Sequence, residues 1–254
     1  MTLKLSASKV DTFLGCRRLF AYRHLRQPFV PPENRYFAIG NLAHTSLEYF
    51  HDAKLKDFAK GEIVSDPQFM KLAFKAAYKK HEPTLSRVLS REDVVSVKSM
   101  LQMYLNKFKG QYPTTVFIEK YFSIDMKDYV INGRADRVDV DGNTTIIVDY
   151  KSGKPFSKSD AHDSVQLPTY ALWVSRLEGM PSDVTGRYLF LKHLDKRNGV
   201  MDIEITPDMV DSAVEKYNYV HSELTRGCKF KRNSSYKYCL FCDFRNHCFS
   251  DNED

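Results

Sequence analysis

The stretch Ile131-Asn-Gly-Arg-Ala-Asp136-Arg-Val-Asp139-Val-Asp-Gly142-Asn-Thr-Thr-Ile-Ile-Val-Asp149-Tyr-Lys151 constrains this chain more than any other. Two runs rich in β-branched residues flank Asp141-Gly142-Asn143, the turn chemistry of an antiparallel hairpin. With Gly142-Asn143 as the loop, Asp136 lies directly opposite Asp149; with Asp141-Gly142 it sits one diagonal step away. Either two-residue loop puts Asp136, Asp149 and Lys151 on one face with Ile147, and Ile146, Val148 and Tyr150 on the other. A three-residue loop would break that parity.

Two carboxylates and an ammonium on a half-buried strand are costly unless something compensates them. A divalent cation does so, because carboxylate oxygens bind Mg²⁺ or Mn²⁺ and leave positions for water and a substrate phosphate. An amine beside that water can orient it. A surface salt bridge at a strand end is the competing reading, and the hairpin alone does not separate the two.

The rest of the chain frames the hairpin as one domain, residues 1–254. Residues 1–110 are mainly helical, with apolar positions at three- and four-residue spacing: Ile39, Leu42, Leu47 and Phe50, then Phe69, Leu72, Phe74 and Ala77, then Val97, Leu101, Tyr104 and Leu105. Pro31-Pro32 and Gly61–Pro67 break this half. Residues 111–226 read as strands at Val116–Ile124, Tyr129–Val140 and Thr145–Tyr150, and a helix at Asp160–Glu178. Strands at Val184–His193 and Val200–Ile205 follow, then a helix at Pro207–Arg226. Residues 227–254 carry four of the five cysteines. The order implies a mixed α/β (α+β) sheet with helices packed on it.

Composition limits the partners. The 254 residues carry a net charge of +6, which suits a phosphate-bearing partner without establishing one. Lys192…Lys196-Arg197 and Lys229-Phe-Lys-Arg232 are basic clusters, and Asp251–Asp254 forms an acidic tail. No apolar run approaches the roughly 18–20 residues that span a bilayer, and the first residues do not read as a secretory signal. A cytoplasmic protein without membrane contact is expected, with its five cysteines reduced rather than paired.

Gly133-Arg-Ala-Asp136-Arg-Val-Asp139 followed by Asp149-Tyr-Lys151-Ser-Gly resembles the core of the PD-(D/E)XK nuclease superfamily, in its RecB-like branch. Gly40-Asn-Leu-Ala-His44-Thr-Ser-Leu-Glu48 is similar to the family's early helical motif, and Gln166-Leu-Pro-Thr-Tyr170-Ala-Leu to the motif after the lysine strand. The resemblance implies a restriction-endonuclease-like mixed central sheet flanked by helices. It implies that His44, Asp136, Asp149 and the Tyr150 carbonyl hold Mg²⁺ or Mn²⁺, that Lys151 positions the hydrolytic water, and that Gln166 and Tyr170 contact DNA. Pro168 fits only a first helical turn, which leaves the placement of Gln166 open. Glu119, in the preceding strand, falls where such nucleases often carry a further acid, although an ion pair there is equally expected, and Glu48 shares the helix face of His44.

Cys239-Leu-Phe-Cys242 with Cys248 gives three thiols that need a fourth, and spacing alone favours Cys228 and a zinc site. The opening Leu5-Ser-Ala-Ser-Lys-Val-Asp-Thr-Phe-Leu-Gly-Cys16 resembles instead the family's iron–sulphur subgroup, which includes the AddB nuclease domain and CRISPR-associated RecB-like exonucleases. That resemblance assigns Cys16, Cys239, Cys242 and Cys248 to a [4Fe-4S] cluster, with zinc as the other reading. It implies a metal-dependent DNA exonuclease acting on single strands or ends, in recombination, repair or phage and CRISPR DNA processing, with a possible helicase, recombination or CRISPR protein partner. A catalytically silent DNA-binding module and a zinc-ribbon adaptor are the readings from other classes.

Overall fold

The computed structural model describes residues 2–25, 34–60, 65–235 and 239–250, with 53–60 and 241 by backbone alone. The break at Pro31-Pro32, residues 61–64 of the second break, and the acidic tail lie outside the described residues.

Helix starts follow local chemistry. Ser6 accepts the Lys9 N–H ahead of α1 (Ala7–Gly15), and Cys16 separates α1 from α2 (Arg17–His24). α3 (Arg35–Lys60) and α4 (Asp66–Val88) pack as a long pair, followed by α5 (Arg91–Phe108), which starts on a Ser90–Asp93 capping box. Of the expected apolar stripe, Ile39, Leu42, Leu47, Phe50, Phe69, Ala77, Val97, Leu101, Tyr104 and Leu105 are buried; Leu72 is instead exposed.

The strands are β1 (Leu3–Leu5), β2 (Thr114–Asp125), β3 (Tyr129–Asp141), β4 (Thr144–Lys151), β5 (Asp183–Phe190) and β6 (Val200–Glu204). Among the described residues they form a six-stranded mixed sheet in the order β1-β3-β4-β5-β6, with β2 along the other edge of β3. β1 is a short strand at the start of the part expected to be mainly helical. It runs parallel to β3 at residues 129–131, whereas β4 pairs antiparallel with residues 137–141. Because β2 occupies the opposite edge, β1 and β4 share one edge of β3 and leave residues 132–136 between them. The sheet forks there.

The helix expected at Asp160–Glu178 is two pieces. α6 (Lys158–His162) starts on a Ser157–Asp160 capping box, and α7 (Gln166–Val174) restarts after Asp163. Pro168 explains the break: it lacks an N–H and sits only in a first turn, so the second helix must begin just before it. The chain returns to turns after Val174, short of Glu178. β5 likewise ends at Phe190, and Leu191–His193 form a 3₁₀ turn rather than strand. α8 (Pro207–Thr225) matches the expected helix within a residue, and α9 (Arg245–Ser250) lies in the cysteine-rich segment.

Burial sorts the layers. Val138, Ile147, Tyr188 and Phe190 pack with α1, α7 and α8, while Ile146, Val148, Tyr150 and Leu189 pack with α3, α4 and α5. The alternation read along β4 is therefore the alternation of its two buried faces, as expected for a strand covered on both sides.

Candidate active site

The β3–β4 ladder runs from Asp141↔Thr144 to Arg137↔Val148, so the loop is Gly142-Asn143 and one further step puts Asp136 opposite Asp149. At that step the ladder yields to a side chain, as the Tyr150 N–H donates to Asp136 Oδ2 at 2.9 Å. On the other edge, Ile118↔Arg137 and Lys120↔Ala135 put Glu119 opposite Asp136. Three carboxylates thus stand in a row across three strands. Glu119 adopts φ +45°, a left-handed backbone that a non-glycine residue takes only at a cost, and it does so at the row.

α3 adds His44, whose Nδ1 lies 3.4 Å from Asp136 Oδ2. Atoms of His44, Glu119 and Asp136 come within 4.8 Å of one another, a spacing that can hold one metal ion. This set takes in Glu119 but not Asp149, whose Oδ2 points to Lys151 Nζ at 2.7 Å. Glu48, half-buried one turn beyond His44, is near enough for its charge to act on Glu119.

The donors fit a cation on their own chemistry. Glu119 Oε2 and Asp149 Oδ2 are buried and each meets a cation, the Arg134 guanidinium at 2.8 Å and the Lys151 ammonium at 2.7 Å, while Glu119 also faces His44 and Asp136. Burial and the adjacent Asp136 carboxylate push the Glu119 carboxyl up to about 7, against the pull of Arg134 and His44. Burial disfavours the His44 cation, yet Asp136, Asp149 and Glu119 outweigh it and raise the imidazole to about 9. Burial raises Asp149 despite Lys151, whereas in Asp136 the same burial is overcome by His44, the Tyr150 N–H and Lys151, which lower it. Lys151 is held charged: burial opposes its cation, but Asp149 prevails.

α7 completes the face. Gln166 is its first residue, so Gln166 and Tyr170 are one turn apart, and Gln166 Nε2 donates to the Tyr170 hydroxyl at 3.0 Å. Lys151 Nζ donates to Gln166 Oε1 at 3.0 Å. The structure therefore strings Asp149, Lys151, Gln166 and Tyr170 into one chain of contacts beside the His44, Glu119 and Asp136 group.

Behind the sheet lies a network that the sequence did not announce. Arg137, fully buried, reaches Asp139 at 3.0 Å, the Tyr150 hydroxyl at 2.8 Å, His51 at 2.6 Å, and the Tyr104 hydroxyl. The available signal was a charged Arg137 and Asp139 alternating onto the face opposite Asp136, among apolar neighbours.

Cys16, Cys239, Cys242 and Cys248 line one cavity with Leu19, Tyr22 and Phe244. Cys228 packs instead against the main core. Among the described residues, the only His, Cys, Asp or Glu group of three or more whose ligand atoms lie within 4.8 Å is the one at His44, so the thiols are spread too widely for a single closed ion. Four separated thiols around one cavity, with Arg232 and Arg245 also in its lining, are a donor set that suits an anionic multi-iron cluster better than one ion.

No curated protein sequence matches the chain. Among solved structures, a candidate exonuclease of Eubacterium rectale aligns over 96% of this chain and 87% of its own, at 10% identity and a TM-score of 0.54, a likeness of fold. SSO0001 aligns over 95% and 96% at 16% identity, with a TM-score of 0.33 that adds nothing to the assignment. The description of the PD-(D/E)XK nuclease superfamily matches residues 4–249, nearly the whole length, and the chain belongs to that superfamily.

Proposed function

We propose that this protein is a Mg²⁺- or Mn²⁺-dependent deoxyribonuclease, an exonuclease that hydrolyses phosphodiester bonds on single strands or DNA ends. The observation that carries the reading is the row Glu119, Asp136 and Asp149 with His44 at one side and a charged Lys151 at the other. His44, Asp136, Glu119 or Asp149, and the Tyr150 carbonyl would hold the metal. A bound divalent cation polarises the phosphate and makes a hydroxide-like nucleophile available near neutral pH.

The chain's own groups supply the rest. Lys151, fixed between Asp149 and Gln166, presents a positive charge to the phosphate as negative charge builds on it, and donates to the attacking water. Tyr170 and Gln166 orient the strand beside it. Tyr36, 72% exposed, can stack on a base, while its neighbour Arg35 is ion-paired to Asp93 at 2.7 Å. A nucleic-acid substrate is supported by the nuclease family and by the net charge of +6, and the choice of DNA and of the exonuclease mode by the resemblance to RecB-like exonucleases.

A [4Fe-4S] cluster at Cys16, Cys239, Cys242 and Cys248 is part of the same reading, as a structural tie between the chain's two ends. A helicase, recombination or CRISPR partner, and a cytoplasmic setting, accompany it. No helix among the described residues is long and apolar enough to cross a membrane. The silent DNA-binding module is disfavoured by the complete acid, histidine and lysine set, and the zinc-ribbon adaptor by the spread of the thiols.

Labelled single-stranded DNA incubated with Mn²⁺, with and without a chelator, tests the reading. Chelator-sensitive cleavage by the wild type is expected. DNA binding without any cleavage, in either metal, would favour the silent module.

A further inference from the structure

The fork in the sheet opens a pocket. Where β1 and β4 leave residues 132–136 of β3 unpaired on the edge away from β2, a concavity of about 220 Å³ is walled by Ser6, Ser8 and Asp11 from the start of α1, by Asn132 and Arg134, and by α7. Gln166 and Tyr170 belong to its lining, so it adjoins the catalytic row through the Lys151–Gln166 bond. Its volume lies below the range of about 300–1,000 Å³ typical of drug-sized ligand sites, room for one nucleotide unit and not for a duplex.

The chemistry of the wall identifies what enters. A track for a continuing strand meets a phosphate at every nucleotide and is lined with cations. Here the inner wall carries an acid, Asp11, among hydroxyls and an amide. Arg134 shares the lining, and the cations near the acid are engaged elsewhere. Arg134, 65% exposed, is ion-paired to Glu119 at 2.8 Å; Lys216 donates to the Asp163 carbonyl at 2.9 Å; Lys151 belongs to the reacting face. Asp11 reaches solvent in the concavity, yet crowding by the wall raises its carboxyl to about 6 in spite of Lys216 and Lys151, so above that pH it is an anion. An anion there repels a phosphate and accepts a hydrogen bond from a hydroxyl.

We propose that the Asp11 pocket receives the terminal nucleotide of a DNA strand, with its free end hydroxyl facing the Asp11 carboxylate, which sets the first internucleotide phosphate against Lys151. The proposal rests on the nuclease reading and deepens it: a pocket that seats a strand terminus makes cleavage at the neighbouring row dependent on a DNA end.

The test uses the whole protein with Mn²⁺ and four single-stranded substrates of one sequence: hydroxyl-terminated, 5′-phosphorylated, 3′-phosphorylated and circular. Expected are rapid cutting of the hydroxyl-terminated strand, no cutting of the circle, and slowing of about tenfold or more by a phosphate at one terminus only. Asp11→Asn, which keeps the size and removes the charge, should bring the phosphorylated strand to within about threefold of the hydroxyl-terminated one. Circular DNA cut as fast as linear, or a wild type indifferent to phosphate at both ends, would overturn the pocket while leaving the nuclease intact. Cleavage of none of the four would overturn both. If Asp11→Asn fails to fold, as a melting curve would reveal, the wild-type ranking of the four substrates still decides.

Discussion

Arg137 and Tyr150 meet through a 2.8 Å hydrogen bond on the face of the sheet opposite Asp136 and Asp149. Each is the chain neighbour of a site acid, and the Tyr150 N–H also donates to Asp136. The same guanidinium reaches His51 and Tyr104, which ties α3 and α5 to the two central strands. His51 lies two turns beyond His44 on α3, so the network behind the sheet holds the helix that supplies the histidine in front of it.

Tyr150→Phe keeps the ring and the backbone carbonyl and removes one bond to a buried cation. Unfolding in urea should show a loss of about 1.5–3 kcal/mol. The Mn²⁺ concentration for half-maximal cleavage should rise as well, because the β3–β4 spacing loosens. Arg137→Met leaves Asp139 buried without its cation and should cost about 3–5 kcal/mol in the same measurement.

Lys151→Ala and Asp149→Ala should lower cleavage by about 10²–10³-fold or more while DNA binding stays measurable by gel shift. Cleavage at the wild-type rate in both variants would remove these residues from the chemistry.

Glu119 adopts its left-handed backbone at a cost of about 1–2 kcal/mol. Asn tolerates that conformation, and Glu119→Asn also relieves the repulsion with Asp136. The metal-free variant should therefore melt no lower than the wild type while binding Mn²⁺ more weakly. A variant that melts well below the wild type and binds Mn²⁺ equally well would make Glu119 structural only.

In the metal-free protein, His44 is raised to about 9 from 6.5 and Glu119 to about 7 from 4.5. Both groups bind protons more tightly folded than unfolded, so each contributes stability at low pH that is lost as pH rises. The Glu119 share fades between about 4.5 and 7, and the His44 share between about 6.5 and 9. Melting temperature without metal should fall across that span, and His44→Gln should flatten the upper part. Added Mn²⁺, which needs neutral imidazole and ionised carboxylate, should restore stability most at the alkaline end.

Cys16→Ser should abolish iron and sulphide in the anaerobically purified protein and lower its melting temperature, whereas Cys228→Ser should leave both unchanged. Iron retained in Cys16→Ser and lost in Cys228→Ser would exchange their roles.

The hairpin was legible because its information is local. Asp141-Gly142-Asn143 marks a tight turn, either two-residue loop puts Asp136, Asp149 and Lys151 on one face, and of the two the structure takes Gly142-Asn143, the register with Asp136 opposite Asp149. α8 and the strands at 129–141 and 144–151 were readable for the same reason, since caps and alternation act over a few residues. Pro168 held the information that splits α6 from α7, but it takes effect only through where a helix can restart.

What the sequence by itself determined is the identity and facing of the acids and lysine on adjoining strands. Only the tertiary structure decided that Glu119 joins His44 and Asp136, that Asp149 turns to Lys151, and that a pocket opens beside Gln166. These depend on contacts between residues far apart in the chain, whose closeness follows from how two buried faces and a forked sheet pack. No periodicity within a single segment records that packing.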